Sequence, residues 1–203
     1  MIDMPALIEA LAVALTDEQK RCWTQHELID YVDAALLAII ARVPQATQYR
    51  HTLLVSGQTQ AGPFALPADA HQLLSIEAIN GHPVRFVEWA LLNRMDPHWQ
   101  QARGEPQVWT QTKADLTHFW LYPTPQPMTR VTVRYSRILS FRDRLHANHK
   151  QIALPEIYRQ SLMDYALYLA YQKETVHQQE SSKSAQYYQA FQLGMEALSA
   201  RYA

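Results

Sequence analysis

The sequence predicts an α+β protein, mainly a helical bundle of two N-terminal and two long C-terminal helices with an inserted β-rich module. Three observations carry this expectation. Apolar residues recur at helical spacing near both ends of the chain. Between about Tyr49 and Ile152 that spacing gives way to short β-prone runs broken by Pro and Gly. The helices at the two ends can bury their stripes only against each other, so the chain must return after the insertion. The expected organisation is one domain over 1–203, with N-terminal helices in 1–47, the β-rich insertion in 48–153 and C-terminal helices in 154–203.

Leu7, Ile8, Leu11 and Leu15 place a first helix of about 11 residues, with Pro5 in its first turn. Thr24-Gln25-His26-Glu27 forms a capping box, in which the Thr24 oxygen accepts from the Glu27 N–H and Glu27 reaches back. Leu28, Val32, Ala35, Leu36, Ile39 and Val43 then mark one face of a second helix, which Pro44 ends. Thr52 to Ser56 reads as a strand with a turn at Gly57. Leu73 to Ile79 and Val84 to Val87 flank Asn80-Gly81, a turn pair that tolerates positive φ. Glu88 to Met95 fits a short helix. Gln107 to Gln111, Thr117 to Tyr122 and Thr129 to Arg137 are the best strands. In the last, Val131, Val133 and Tyr135 face one way and Arg130, Thr132 and Arg134 the other. Pro155 opens a helix with the stripe Tyr158, Leu162, Tyr165 and Leu169, flanked by Ala166 and Ala170. Ser181 or Ser182 caps the last helix, whose stripe is Ala185, Tyr188, Phe191, Met195 and Leu198.

The totals narrow the function classes. Hydrophobic residues are 48% and charged residues 18%, which is globular rather than disordered. A formal net charge of -1 leaves no global basic excess for a nucleic-acid backbone. Cys22 is the only cysteine, so an internal disulfide and a cysteine-based zinc site are excluded. The N-terminus lacks the pattern of a signal peptide, and no apolar run reaches bilayer-spanning length. A soluble protein of a reducing compartment is expected.

Motifs for chemistry are sparse. Gly57 to Gly62 lacks the Lys-Ser/Thr of a phosphate loop. His146 and His149 lie three apart without accompanying carboxylates, and metal ligation needs three or four convergent groups. His26 sits in the capping box, and the second His of a zinc motif is absent because position 30 is Asp. Cys22 beside Trp23 reads as a small buried hydrophobe rather than a nucleophile. Asp96, Glu105 and Asp115 lie in the β module, and nothing selects a catalytic pair among them. Neither a cofactor nor a metal is expected. Trp109, Phe119 and Trp120 sit among Thr, Gln and Leu, which favours packing over base stacking. Arg130, Arg134, Arg137, Arg142 and Arg144 form the one local basic cluster, a candidate contact with DNA or with an acidic partner ring.

Several segments together resemble a known family. Trp23-Thr24-Gln25-His26-Glu27-Leu28, then Tyr31, Ala34-Ala35 and Pro44, resembles the opening of phage adaptor proteins. Gly57-Gln58-Thr59-Gln60 with Leu66-Pro67-Ala68 is similar to that family's Gly-Thr-Gln-x-Leu-Pro segment, with an insertion. Pro97-x-Trp99, Phe119-Trp120-Leu121-Tyr122-Pro123-x-Pro125 and Val131 to Tyr135 resemble its β core. Leu154-Pro155-x-x-Tyr158, Leu162, Asp164 to Leu167 and Ala185 to Phe191 resemble its C-terminal helices. The resemblance implies a non-enzymatic bacteriophage head-tail adaptor, a connector or tail-tube adaptor of the virion neck, made in the host bacterial cytoplasm. It implies a dodecameric ring on the portal, a DNA channel extended through the ring, retention of the packaged genome before ejection, and a platform for tail or nozzle proteins. The free chain is expected to be a monomer that assembles on the portal. Two alternatives stand beside this: a cell-wall hydrolase using carboxylates such as Glu105 and Asp115, and a DNA-binding module using the Arg130–Arg144 cluster.

Overall fold

The structure, a computed structural model, describes residues 1–55, 62–140, 150–174 and 181–202. In chain order the elements are β1 (Ile2–Asp3), α1 (Met4–Ala14), α2 (Gln25–Arg42), β2 (Gln48–Val55), β3 (Phe64–Ala65), β4 (Ala70–Ile79), β5 (His82–Pro83) and β6 (Arg85–Phe86). They continue with α3 (Trp89–Met95), β7 (Val108–Thr110), β8 (His118–Tyr122), β9 (Thr129–Arg137), β10 (Gln151–Ile152), α4 (Arg159–Glu174) and α5 (Ser181–Ser199). Short 3-10 turns stand at Pro44–Thr47, Trp99–Gln101 and Glu156–Tyr158.

The chain forms two compact units, Met1–Thr47 with Ile138–Ala203, and Gln48–Arg137. The α+β class holds, but the expectation of a mainly helical bundle is corrected. Among the described residues there are five α-helices and three sheets, and one helix, α3, lies within the β-rich unit. The physical reason is that the strands have a core of their own. Among the described residues thirteen buried side chains, from Val55 to Tyr135, form a core drawn from the β-rich unit itself. The helical unit is itself tied by a sheet, since β1 pairs antiparallel with β10.

In the helical unit, Asp3 caps α1 by accepting from the Ala6 N–H at 2.8 Å. Thr24 caps α2, and both halves of the capping box form. The connection between these helices is organised by Asp17. Its carboxylate accepts from the backbone N–H groups of Arg21, Cys22 and Trp23 at 2.8–2.9 Å. Those bonds, the Trp23 N–H foremost, hold its carboxyl below the usual range. Trp23 is thereby aimed inward, and its indole N–H donates to the Ala170 carbonyl at 3.2 Å. Lys173 donates to the Cys22 carbonyl at 3.0 Å and to Glu27 at 2.6 Å, closing α4 onto the same loop. Cys22 is exposed, which corrects its expected burial: the N–H groups that Asp17 collects point its neighbour Trp23 into the core instead.

Helix α4 buries Leu162, Ala166 and Ala170, while Tyr165 and Leu169 of the expected stripe are only half-buried. The alanines leave room for close helix approach, so the seam runs through them. On α5 the stripe is Ser184, Phe191, Met195 and Leu198, and Ala185 is exposed. Ring pairs Tyr165–Phe191, Tyr168–Tyr188 and Tyr171–Tyr187, at 4.8–5.5 Å between centroids, zip the two helices together.

In the β-rich unit two four-stranded sheets, ordered β2-β9-β4-β5 and β3-β8-β7-β6, share one core. Strand β8 shows the period-two logic: Phe119 and Leu121 enter that core. Trp120 and Tyr122 face the other way, into a cluster with Leu92, Trp89 and Trp99 around α3. Asn80 and Gly81 turn the chain with φ of 49° and 87°, as the turn pair predicts. The return strand is shorter than expected. After two residues of β5 the chain crosses to the second sheet, where β6 runs parallel to β7.

Strand β4 departs from simple alternation. Its buried residues are Ala70, Leu73, Ile76 and Ile79, a period of three that fits neither a flat strand nor a helix. Three register shifts against β9 resolve the conflict. They leave His71, Leu74 and Glu77 without partners, so ten residues of β4 run beside seven of β9. Leu73, Ile76 and Ile79 then sit opposite Tyr135, Val133 and Val131, all on one face.

Gly62 takes a φ of 147°, and a Cβ there would lie 2.8 Å from the Trp120 ring and 2.9 Å from the Phe119 carbonyl oxygen. Both the backbone and the space demand glycine. Gly62→Ala is expected to destabilise the protein by more than about 1 kcal/mol in urea unfolding. An unchanged midpoint would show that the close approach is absent.

Candidate functional site

The arginine cluster is positioned by β9. Alternation sends Val131, Val133 and Tyr135 into the core and Arg130 and Arg134 to solvent, as the sequence predicts. Arg142 and Arg144 lie outside the described residues, as do His146, His149 and the Gly57–Gln60 segment.

Two arginines missed by the sequence-level grouping, or misread by it, change the character of the cluster: Arg50 on the face of Arg134, and Arg137 on the other side of the sheet. Arg50 of β2 lies directly opposite Arg134 in the antiparallel register. Like charges so placed repel. Glu77 relieves this because the bulge in β4 frees it from pairing: it accepts from Arg50 Nε at 2.6 Å and also from Arg134. The two guanidiniums, Arg50 first, hold the Glu77 carboxyl below the usual carboxylate range. Arg137 is likewise engaged. Its Nε donates to Asp69 at 2.7 Å, and its guanidinium stacks 4.5 Å from the Tyr49 ring centroid. Tyr135 donates to the other Asp69 oxygen at 3.0 Å, and burial together with that carboxylate pushes its phenol up to about 12.

Arg130 differs. Its backbone closes the Asn80 turn, accepting from the Asn80 N–H at 2.8 Å and donating to the Asn80 side chain at 3.0 Å. Its side chain is exposed and holds no ion pair among the described residues. Of the three described members of the cluster, only Arg130 therefore has no carboxylate partner among the described residues. Sequence reasoning could have found Arg50 from the alternation of β2, but only the bulge register reveals Glu77 as its partner.

Two of the three carboxylates considered for catalysis, Asp96 and Asp115, are separately engaged in local hydrogen bonds. Asp96 accepts from the His98 N–H at 2.9 Å and from Tyr122 at 3.2 Å. Asp115 accepts from the Thr117 N–H at 3.0 Å and faces His118 Nδ1 at 2.8 Å, ordering the β7–β8 turn. Glu105 lines two adjoining open grooves of about 240 and 500 Å³, beside Pro106, with Arg85 and His82 along the larger one. Among the described residues no group of His, Cys, Asp or Glu is arranged to hold a metal ion. No helix is long and apolar enough to cross a membrane among those residues.

Because the Glu77 carboxyl is held low in the folded protein, its contribution to stability is present above its ordinary value near 4.5 and fades as pH falls through the lower folded value. Glu77→Gln is expected to lower stability at pH 7 by about 1 kcal/mol or less, since the pairs are partly exposed. The same variant should flatten the acid limb of the stability–pH curve. A variant whose urea midpoints at pH 7 and pH 3 match the parent at both values would discount the pairing.

Compared with known families, residues 3–203 match the family described as SU10 adaptor protein. No curated protein matches the chain.

Proposed function

The chain belongs to the SU10 adaptor protein family, and from that premise we propose that it forms a ring between the portal and the tail of a bacteriophage. The family is one of phage head-tail adaptors, a structural family rather than an enzyme family, which gives the chain a virion role. The match over nearly the entire chain is the observation that carries the reading.

In this proposal twelve copies stack on the portal, extend the DNA channel and present a platform to tail or nozzle proteins. The free chain is a monomer, made in the host cytoplasm, that oligomerises on the portal. The cluster Arg130, Arg134, Arg137, Arg142 and Arg144 contacts a partner ring or the DNA in the lumen. The separate employment of Asp96 and Asp115 supports a role without catalysis.

Light scattering tests the reading. The purified chain alone is expected at the mass of one 23.4 kDa subunit. Mixed with the portal of its own phage, it should shift to a stoichiometric ring complex. Failure to associate with the portal or any other virion ring would remove the adaptor assignment.

A further inference from the structure

We infer that the outer edge of β2 takes up an extended, acidic-apolar segment of a neighbouring neck protein as an additional strand of the β2-β9-β4-β5 sheet. The inference rests on the adaptor reading and names the kind of partner that the arginine face receives.

The first ground is the edge itself. All eight residues of β2 pair with β9, and among the described residues β2 has no other strand beside it. Gln48 to Thr52 are exposed at every position, and Leu54 is 59% exposed. An exposed strand of eight residues, about 26 Å long, is a ready template for pairing. Proteins ordinarily blunt such edges with proline, a bulge, a very short strand, charged side chains or a covering element; of these, the described residues give β2 the charge of Arg50, which Glu77 holds. Strand β2 contains no proline, pairs with β9 without a register shift and is among the longer strands of the protein.

The second ground is charge. Arg50, Thr52 and Leu54 share one face of β2, and their partners Arg134, Thr132 and Arg130 share that face of β9. Among the described residues three arginines there meet one carboxylate, Glu77, which Arg50 and Arg134 share, so the face keeps a net positive charge and Arg130 has no carboxylate of its own. Arg130 lies opposite the exposed Leu54. The opposite side of β2 presents Tyr49, with Arg137 stacked on its ring, and His51, while Leu53 is half-buried against the core. A strand added beyond β2 finds cationic groups and an apolar side chain on one face and aromatic or apolar groups on the other. Alternating carboxylate and apolar side chains match this surface, and main-chain hydrogen bonds supply the register.

DNA fits the face less well. Phosphate-backbone binding draws on several free cations. Here Arg50, Arg134 and Arg137 already hold carboxylates. A duplex can accept from open N–H groups through its phosphates but leaves the edge carbonyls unpaired, whereas an added strand pairs both.

Hydrogen exchange of the full chain, free and within purified phage necks, tests the inference. Amides of residues 48–55 that exchange freely in the isolated chain are expected to slow by about tenfold or more in the assembled neck. Unchanged exchange at these amides in a neck that contains the chain would overturn the inference and leave the adaptor reading intact. Absence of the chain from the neck would remove both. The double variant Leu54→Glu/Arg130→Glu alters two exposed side chains, and circular dichroism checks that it folds. Its incorporation into necks is expected to fall about tenfold, a loss of about 1.4 kcal/mol in association. If the variant enters necks normally but loses salt-sensitive binding to a short DNA duplex, the face belongs to DNA and the strand partner is wrong.

Discussion

The pairing of β4 with β9 is the constraint on which the β-rich unit depends. Strand β9 is flanked on both sides, by β2 and β4, and it supplies Val131, Val133 and Tyr135 to the shared core. An apolar residue at every third position of β4 would send successive side chains to alternating faces of a regular strand. Each bulge inserts one unpaired residue and returns the next apolar side chain to the buried face. Three bulges do this for Leu73, Ile76 and Ile79. The last of them also leaves Glu77 unpaired, beside two opposed arginines. Core packing and surface electrostatics thus have one origin in the spacing of β4.

A comparable economy organises the helical unit. One carboxylate, Asp17, collects three consecutive N–H groups in the connection between α1 and α2. That fixes the direction of Trp23, which packs edge-on against Tyr171 and bonds to the α4 backbone. Lys173 then spans from Cys22 to Glu27, the residue that also completes the capping box. The N-terminal helices are therefore joined to α4 by polar groups as well as by buried Leu, Ile and Ala. Buried polar groups satisfied in this way fix one arrangement where apolar contact alone would tolerate several.

The sequence disclosed local features whose causes are local. The capping box at Thr24, the Asn80-Gly81 turn and the alternation of β9 depend on neighbouring residues, and each is seen in the structure. What depended on distant pairing was hidden. The parallel pairing of β6 with β7 could not be read from Val84 to Val87, because nothing nearby specifies which sheet the strand joins. The mainly helical expectation undervalued the middle of the chain for the same reason: short strands bury little individually, and their shared core appears only when two sheets meet. Cys22 was misjudged because its residue type favours burial, whereas its position is set by Asp17, five residues away.

The same distinction governs the arginine face. Counted along the chain, Arg130, Arg134 and Arg137 look like one basic patch. Paired across the sheet, Arg134 and Arg137 become parts of ion pairs with carboxylates from and beside β4, while Arg50 joins from β2. Such pairs contribute little to stability when exposed, yet they fix long side chains in place and reduce the field that a distant polyanion feels. The face is therefore more selective than its arginine count implies. It carries its residual charge at defined points, next to an exposed apolar residue and an open strand edge. That combination discriminates by short-range geometry, where a field of free cations would attract any anion.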